Sequence, residues 1–267
     1  MSASSTGYGM RDAGSRKKRR VGTGILILLL LALAVPVSVR QAVAPETAAP
    51  ADPLIAGFSK STVASVSDAV DQVLGKRGYL SHDVRPYVPG RFVGRAATAL
   101  VKPAAPEQAT PALAVKHSVE MIDAANPGDV GVIVMEGSLD VAAIGGLMGT
   151  AAKARGMAGM VLDGAVRDIG ELRALDLPVF ARAASPATAV SRYASVAKQV
   201  PVECAGVTVS PGDIVVAGED GVVIVPKDRA ADVLKGAQEI DERDTKMVPF
   251  IKQYRSLQKA IEVFNRI

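Results

Sequence analysis

Aliphatic residues along this chain follow two spacings, which alternate. Val63, Val66, Val70, Val73 and Leu74 recur at helical intervals, with Gly75 close behind them. This predicts a helix over residues 54–74. The run 130–135 is continuously aliphatic apart from Gly131, as expected of a strand buried on both faces. Further strands are predicted at 92–101, after the Pro89-Gly90 turn, and at 159–162, 179–181, 207–209, 214–217 and 222–225. Between them the pattern predicts helices over 112–125, 139–155 and 169–175, and a mostly helical, charged end over 229–267. Strands alternating with helices through short turns make this an α/β chain. The segment Asn126-Pro127-Gly128-Asp129 is echoed by Ser210-Pro211-Gly212-Asp213, each ahead of a strand, which reads as shared turn chemistry.

The first residues differ in texture. Residues 1–20 are polar and end in Arg16-Lys17-Lys18-Arg19-Arg20; an apolar run occupies 21–39. Cations directly before such a run read as a targeting signal, with the cationic end on the cytoplasmic side. The run is long enough for a signal anchor, one hydrophobic helix. Its shorter centre followed by Ala42-Val43-Ala44 equally fits a cleaved signal peptide. On either reading the expectation is a membrane-anchored or exported protein with its globular part on the extracytoplasmic side. Residues 40–53, rich in Ala and Pro, read as a linker. A globular domain is then expected at 54–228 and a helical extension at 229–267.

Charge sharpens this division. The 267 residues carry a formal net charge of +4, but residues 1–44 alone contribute +6. The rest is slightly acidic, so net charge gives no support to nucleic-acid binding. Only 4% of the chain is aromatic, and there is no Trp. Cys204 is the one cysteine, which excludes an intramolecular disulfide. His82 and His117 stand far apart and outside any HxxxH pattern, which argues against a histidine-based zinc site.

The chemically informative stretch runs from Gly145 to Arg182. Asp163-Gly164 and Arg167-Asp168 follow the expected end of a buried aliphatic strand, where open α/β sheets place ligands. Arg167 offers a planar fork suited to a carboxylate. Asp168 offers hard oxygens suited to a magnesium- or manganese-type ion. From the residues alone the simpler reading stands first: the two form a salt bridge at a helix N-terminus, with Asp168 capping Ile169 onward.

This stretch resembles the core of the RraA-like family, which includes the 4-hydroxy-4-methyl-2-oxoglutarate aldolases. The family pattern runs from a glycine loop, through twenty residues, to Arg-Asp-x-x-Glu. Here the loop is Gly145-Gly146-Leu147-Met148, and Arg167-Asp168-Ile169-Gly170-Glu171 completes the pattern. Supporting matches include Phe92-Val93-Gly94-Arg95-Ala96, Pro127-Gly128-Asp129-Val130, Asp176-Leu177-Pro178-Val179-Phe180 and Asp220-Gly221-Val222-Val223. The resemblance covers about residues 54–245. It implies a three-layer β/β/α swivelling-domain fold and a homotrimer with active sites between subunits. It also implies a divalent cation, Mg2+ or Mn2+, held by Asp168, partly through waters. Arg167 would contact a small 2-oxo acid substrate and its developing enolate oxygen. Backbone N–H groups of Gly145, Gly146, Leu147 and Met148 would receive the substrate carboxylate. The implied reaction is retro-aldol cleavage releasing pyruvate, or decarboxylation of oxaloacetate; Lewis acid and Arg167 together would stabilise the enolate.

Two positions depart from the family. Many members carry Asp or Glu where this chain has Gly146, and often Asp where it has Gly218. These losses favour decarboxylation over aldol cleavage, since it asks less of a general base, and they keep two rivals in view. One is a non-catalytic, membrane-tethered carboxylate-binding module. The other is a regulator, since the name-giving members bind and inhibit the endoribonuclease RNase E; an exported domain could not meet that partner. The older family label, demethylmenaquinone methyltransferase, is discounted because no GxGxG methyl-donor loop follows a first strand.

Overall fold

The computed structural model describes residues 52–265. The chain opens with helices α1 (Pro53–Phe58) and α2 (Val63–Leu74), then strands β1 (Arg85–Val88) and β2 (Phe92–Pro103). Helix α3 (Pro111–Ala124) leads to β3 (Val130–Met135), β4 (Ala142–Ile144) and helix α4 (Gly146–Ala154). Then follow β5 (Gly159–Val166), helix α5 (Ile169–Ala174), β6 (Val179–Ala184) and β7 (Tyr193–Lys198). Strands β8 (Val202–Cys204), β9 (Val207–Val209), β10 (Ile214–Gly218) and β11 (Gly221–Val225) precede helices α6 (Ala230–Tyr254) and α7 (Leu257–Phe264).

The main sheet runs β1-β6-β5-β3-β2-β10-β11; β4 pairs with β5, and β7 with β2. Strands β2, β3, β5 and β6 are mutually parallel, whereas β1, β7, β10 and β11 pair antiparallel with their neighbours. The sheet buries both faces, which is why β3 reads as an unbroken aliphatic run. Val130, Val132 and Val134 face one cluster with Phe180 of β6, Ile224 of β11, and Val202, Cys204 and Val209 of the β8–β9 hairpin. Strands from opposite ends of the sheet order thus share one interior, and the sheet is a nearly closed, barrel-like form in a mixed α/β fold. Phe92 and Phe180 meet edge to face inside it, ring centroids 5.6 Å apart. Ile133 and Leu162 point the other way, onto Met121 and Ile122 of α3 and Leu172 of α5. A third cluster joins α2 and α6 to Ile214, Val216, Val223 and Val225 of β10 and β11.

Local chemistry explains where the elements begin and end. The helix predicted over 54–74 is two helices, because Thr62 is extended and its side chain accepts from Ser65 N–H to start α2. Gly75, with φ +63°, closes α2 in the left-handed conformation. The echoed turns are built alike: Asp129 accepts from Asn126 N–H at 2.8 Å, and Asp213 from Ser210 N–H at 2.7 Å. Gly128 and Gly212 sit at φ +89° and +86°. The helix predicted over 139–155 is strand β4 and the shorter α4. Residues 141–144 are buried, and β4 pairs with the end of β5.

The expected membrane-anchored or exported placement, with its membrane partner and extracytoplasmic side, is corrected. Among the described residues no helix is long and apolar enough to cross a membrane. The longest, α6, carries Glu239, Asp241, Glu242, Arg243 and Asp244 along its middle. Segments 1–20 and 21–39, with the predicted hydrophobic helix, lie outside the described residues.

Cys204 is fully buried inside the barrel. Burial, and next the negative charge of Asp163, push its thiol well above the usual range. An aromatic disulfide reagent at pH 8 is therefore expected to label the native protein no faster than it unfolds, and the denatured chain at once. Rapid labelling of the native protein would contradict this packing.

Candidate active site

The pairing of β4 with β5 assembles the site. It brings Gly145 and Gly146, at the end of β4, beside Arg167 and Asp168, at the end of β5: Arg167 N–H donates to Ile144 O at 3.1 Å. Helix α4 starts there, with Gly149 N–H donating to Gly145 O at 3.0 Å. The N–H groups of Leu147 and Met148 lie ahead of that bond. They can receive an anion at the positive end of the helix. Gly146 N–H is already engaged, donating to Asp168 Oδ2 at 2.9 Å.

Asp168 therefore does not do what the simpler sequence reading gave it. It makes no side-chain cap to α5 but reaches across to the start of α4. Its backbone is left-handed, with φ 54° and ψ 38°, a strained conformation for a residue with a Cβ. The ion pair with Arg167 is loose, Nε to Oδ2 being 3.7 Å, and both side chains are 39% exposed. Neither group is consumed by the other, so both remain open to a ligand. Glycine at 145 permits the arrangement: a Cβ there would come within 2.5 Å of Asp168 Oδ2 and 2.8 Å of Arg167 Nε. Leu147, beside them, is 90% exposed.

Asp163-Gly164, expected beyond the strand, lie inside β5. Asp163 accepts from Arg182 Nη1 at 2.9 Å and from Ala205 N–H at 2.6 Å, and Arg182 Nε donates to Asp83 at 2.7 Å. This triad ties β5, β6 and the β8–β9 turn together and is separate from the Arg167 cluster. Glu171, quoted in the Arg-Asp-x-x-Glu pattern but given no role there, stands close by on α5: a Cβ on Gly146 would lie 1.8 Å from its Oε2. A cleft of about 630 Å³ is lined by Arg77, His82, Arg85, Glu219 and Asp220 among others and contains none of the Arg167 cluster.

Among the described residues no group of three or more His, Cys, Asp or Glu could hold a metal ion. The donor set is thus unsuited to a dry zinc cage. It does suit a Mg2+-type ion that keeps several waters and takes one or two carboxylates. Asp168 is the carboxylate best placed for that.

A sequence model of the family described as RraA-like, Aldolase/RraA, matches residues 63–224. A Halalkalibacterium halodurans protein with the provisional name 4-hydroxy-4-methyl-2-oxoglutarate aldolase is 41% identical over 118 residues, covering 43% of this chain and 54% of that one. A Deinococcus radiodurans protein with the same provisional name is 43% identical over 101 residues, covering 37% of this chain and 62% of that one. The chain thus spans about half to two thirds of the length of these curated relatives. Among solved structures, an uncharacterized Pseudomonas syringae protein superposes with a TM-score of 0.68 at 31% identity, covering 78% of this chain and 96% of that one. A Streptomyces coelicolor protein, described as an unusual member of the RNase ES inhibitor RraA protein family, gives 0.65 at 27%, covering 73% and 96%.

Proposed function

The chain belongs to the RraA-like family, and from that membership we propose that it is a divalent-metal-dependent lyase cleaving a 2-oxo acid to pyruvate. The observation that carries this reading is the strained Asp168 beside a loosely paired Arg167 at the start of α4. The provisional aldolase names of the relatives support it. The substrate class is 4-hydroxy-4-methyl-2-oxoglutarate, with oxaloacetate as the decarboxylation counterpart. The three-layer β/β/α swivelling arrangement and the homotrimer implied by the family belong to the same proposal. Helices on one face and the β8–β9 hairpin within the other support the former. The exposed Leu147 beside an open site supports the latter.

Asp168 would hold the cation, Mg2+ or Mn2+, which when bound supplies Lewis-acid polarisation of the 2-oxo group. The N–H groups of Leu147 and Met148 receive the substrate carboxylate, which fixes the 2-oxo oxygen toward Arg167. Cleavage of the bond between C3 and C4 sends its electron pair toward C2 and the oxo oxygen. Arg167 meets the charge that develops there with a planar fork already in place. The 4-hydroxyl loses its proton as its carbon becomes the second pyruvate's carbonyl, and C3 of the first takes a proton up.

Full-length protein is expected to release pyruvate from 4-hydroxy-4-methyl-2-oxoglutarate with Mg2+. Turnover should vanish with chelator or in Asp168→Ala. Turnover that survives both would refute a metal at Asp168; none with either substrate would count against the lyase. A second reading, a regulator of ribonuclease activity, is favoured by the superposition on the Streptomyces protein. The objection from an exported domain falls with the corrected placement. Inhibition of a purified RNase E-type enzyme by both wild type and Asp168→Ala would favour that reading.

A further inference from the structure

We propose that a cleft at the start of α2 binds a single phosphoryl group, free or carried as an ester, at a place separate from the Arg167 cluster. The cleft, about 500 Å³, lies where the α1–α2, β1–β2 and β10–β11 turns meet, and its lining includes Lys60, Ser61, Thr62, Arg91 and Gly218.

Ser61 is the residue that points to a ligand. It is 2% exposed, yet among the described residues no hydrogen bond engages its hydroxyl; its carbonyl alone is taken, by Arg91. A buried hydroxyl left unpaired is costly, so such a group calls for a partner. The one side-chain oxygen that is wholly enclosed and unpaired among the described residues is Asp83 Oδ1. The Ser61 hydroxyl therefore still meets solvent, and the cleft it lines is the way out.

The groups around it suit an anion. Thr62 starts α2, its Oγ1 accepting from Ser65 N–H and its carbonyl from Val66 N–H. The N–H groups of Val63 and Ala64 precede those bonds and have no partner within the helix, at its positive end. Arg91 spends Nη2 on Phe58 O, at 3.2 Å, and on Ser61 O, which anchors the guanidinium. Its Nη1 stays open because position 218 is glycine: a Cβ there would lie 3.6 Å from it. Lys60 adds a second cation, and among the described residues neither Lys60 nor Arg91 is in an ion pair. A hydroxyl, a guanidinium, an ammonium and two amides outnumber the oxygens of a carboxylate and match the three terminal oxygens of a phosphoryl group. Glu219 and Asp220 also line the cleft, which tells against polyanions and sets the class as one phosphoryl group. The volume leaves room for the carbon end of an ester.

The test is calorimetric titration of the full-length protein with inorganic phosphate and with glycerol 1-phosphate. One saturable site per chain is expected, with the ester the tighter ligand. Ser61→Ala should weaken binding of both about tenfold, the lower end for a hydrogen bond to a charged group, with no change in melting temperature because that hydroxyl holds nothing inside the protein. Gly218→Asp sets a carboxylate before Arg91 and should abolish binding while removing no donor. Gly218→Ala adds bulk without charge and should stay within a few-fold of wild type. Arg167→Ala should leave the affinity unchanged, which separates this cleft from the start of α4 and makes its failure independent of the lyase reading. Equal affinity for the two probes upholds the site with free phosphate as its ligand. Absence of binding, or affinity that survives both Ser61→Ala and Gly218→Asp, overturns the proposal.

Discussion

Arg167→Ala is expected to lower kcat/KM for pyruvate release by about 10³-fold, with no change in melting temperature. Removing one preorganised donor from a developing oxyanion costs about 10²–10³ in rate. A charged, two-pronged donor lies at the upper end of that range. The side chain is 39% exposed and its ion pair with Asp168 is long, so the fold does not lean on it. The loss should fall on kcat more than on KM, because the charge Arg167 meets develops only as the carbon–carbon bond breaks. Arg167→Lys keeps the charge but not the fork and should recover only part of the rate. Mn2+ affinity in Arg167→Ala should stay within a few-fold of wild type, since the guanidinium is no ligand. A loss confined to KM would assign Arg167 to ground-state binding alone.

Much of the architecture was legible in the sequence because its strands are buried on both faces. Val130–Met135 and the cores of β10 and β11 stand where the aliphatic runs put them. What escaped were strands whose pairing is tertiary. Strand β1 contains Pro86 and lies at the sheet edge, where its missing N–H is tolerated. Strand β7, Tyr193-Ala194-Ser195-Val196-Ala197-Lys198, carries no regular apolar alternation and exists because the second half of β2 offers it a free edge. Residues 141–144 continue the helical spacing of α4 but are captured by the end of β5. The candidate site was legible as a list of residues, not as a geometry. Arg167 and Asp168 were found by their chemistry. Which N–H Asp168 would satisfy depended on β4 lying beside β5. Glycine at 146 read as a missing function because one sequence position shows only its own side chain. The carboxylate of Glu171 reaches that space from another element.

The second large effect lies in the barrel interior. Arg182→Met should destabilise the protein by about 3 kcal/mol at neutral pH, the lower end of the cost of breaking a buried pair, because Arg182 is 31% exposed. That is about 6–12 °C in melting temperature for a domain of this size. Met keeps the length and apolar packing, so the loss reports the charge. Asp163, 13% exposed, would keep only the Ala205 N–H, and Asp83 would lose its donor at 2.7 Å. The pH dependence fixes the sign. Burial opposes Asp83's charge, but hydrogen bonds from Ser81 and Arg182, with the guanidinium charge, hold its carboxyl below the ordinary value. A depressed carboxyl contributes stability fully above its unfolded value of about 4 and loses it as pH falls through the folded value. In the variant the Arg182 share of that contribution is gone while the Ser81 hydrogen bond remains, so the gap from wild type should be widest near pH 7 and narrow below pH of about 4, where protonation removes the charge stranded at Asp83. Calorimetric melts of both proteins across that range will test it. A gap that stays constant with pH would mean that Arg182 acts through packing, and that the triad joining β5, β6 and the β8–β9 turn is held by shape, not charge.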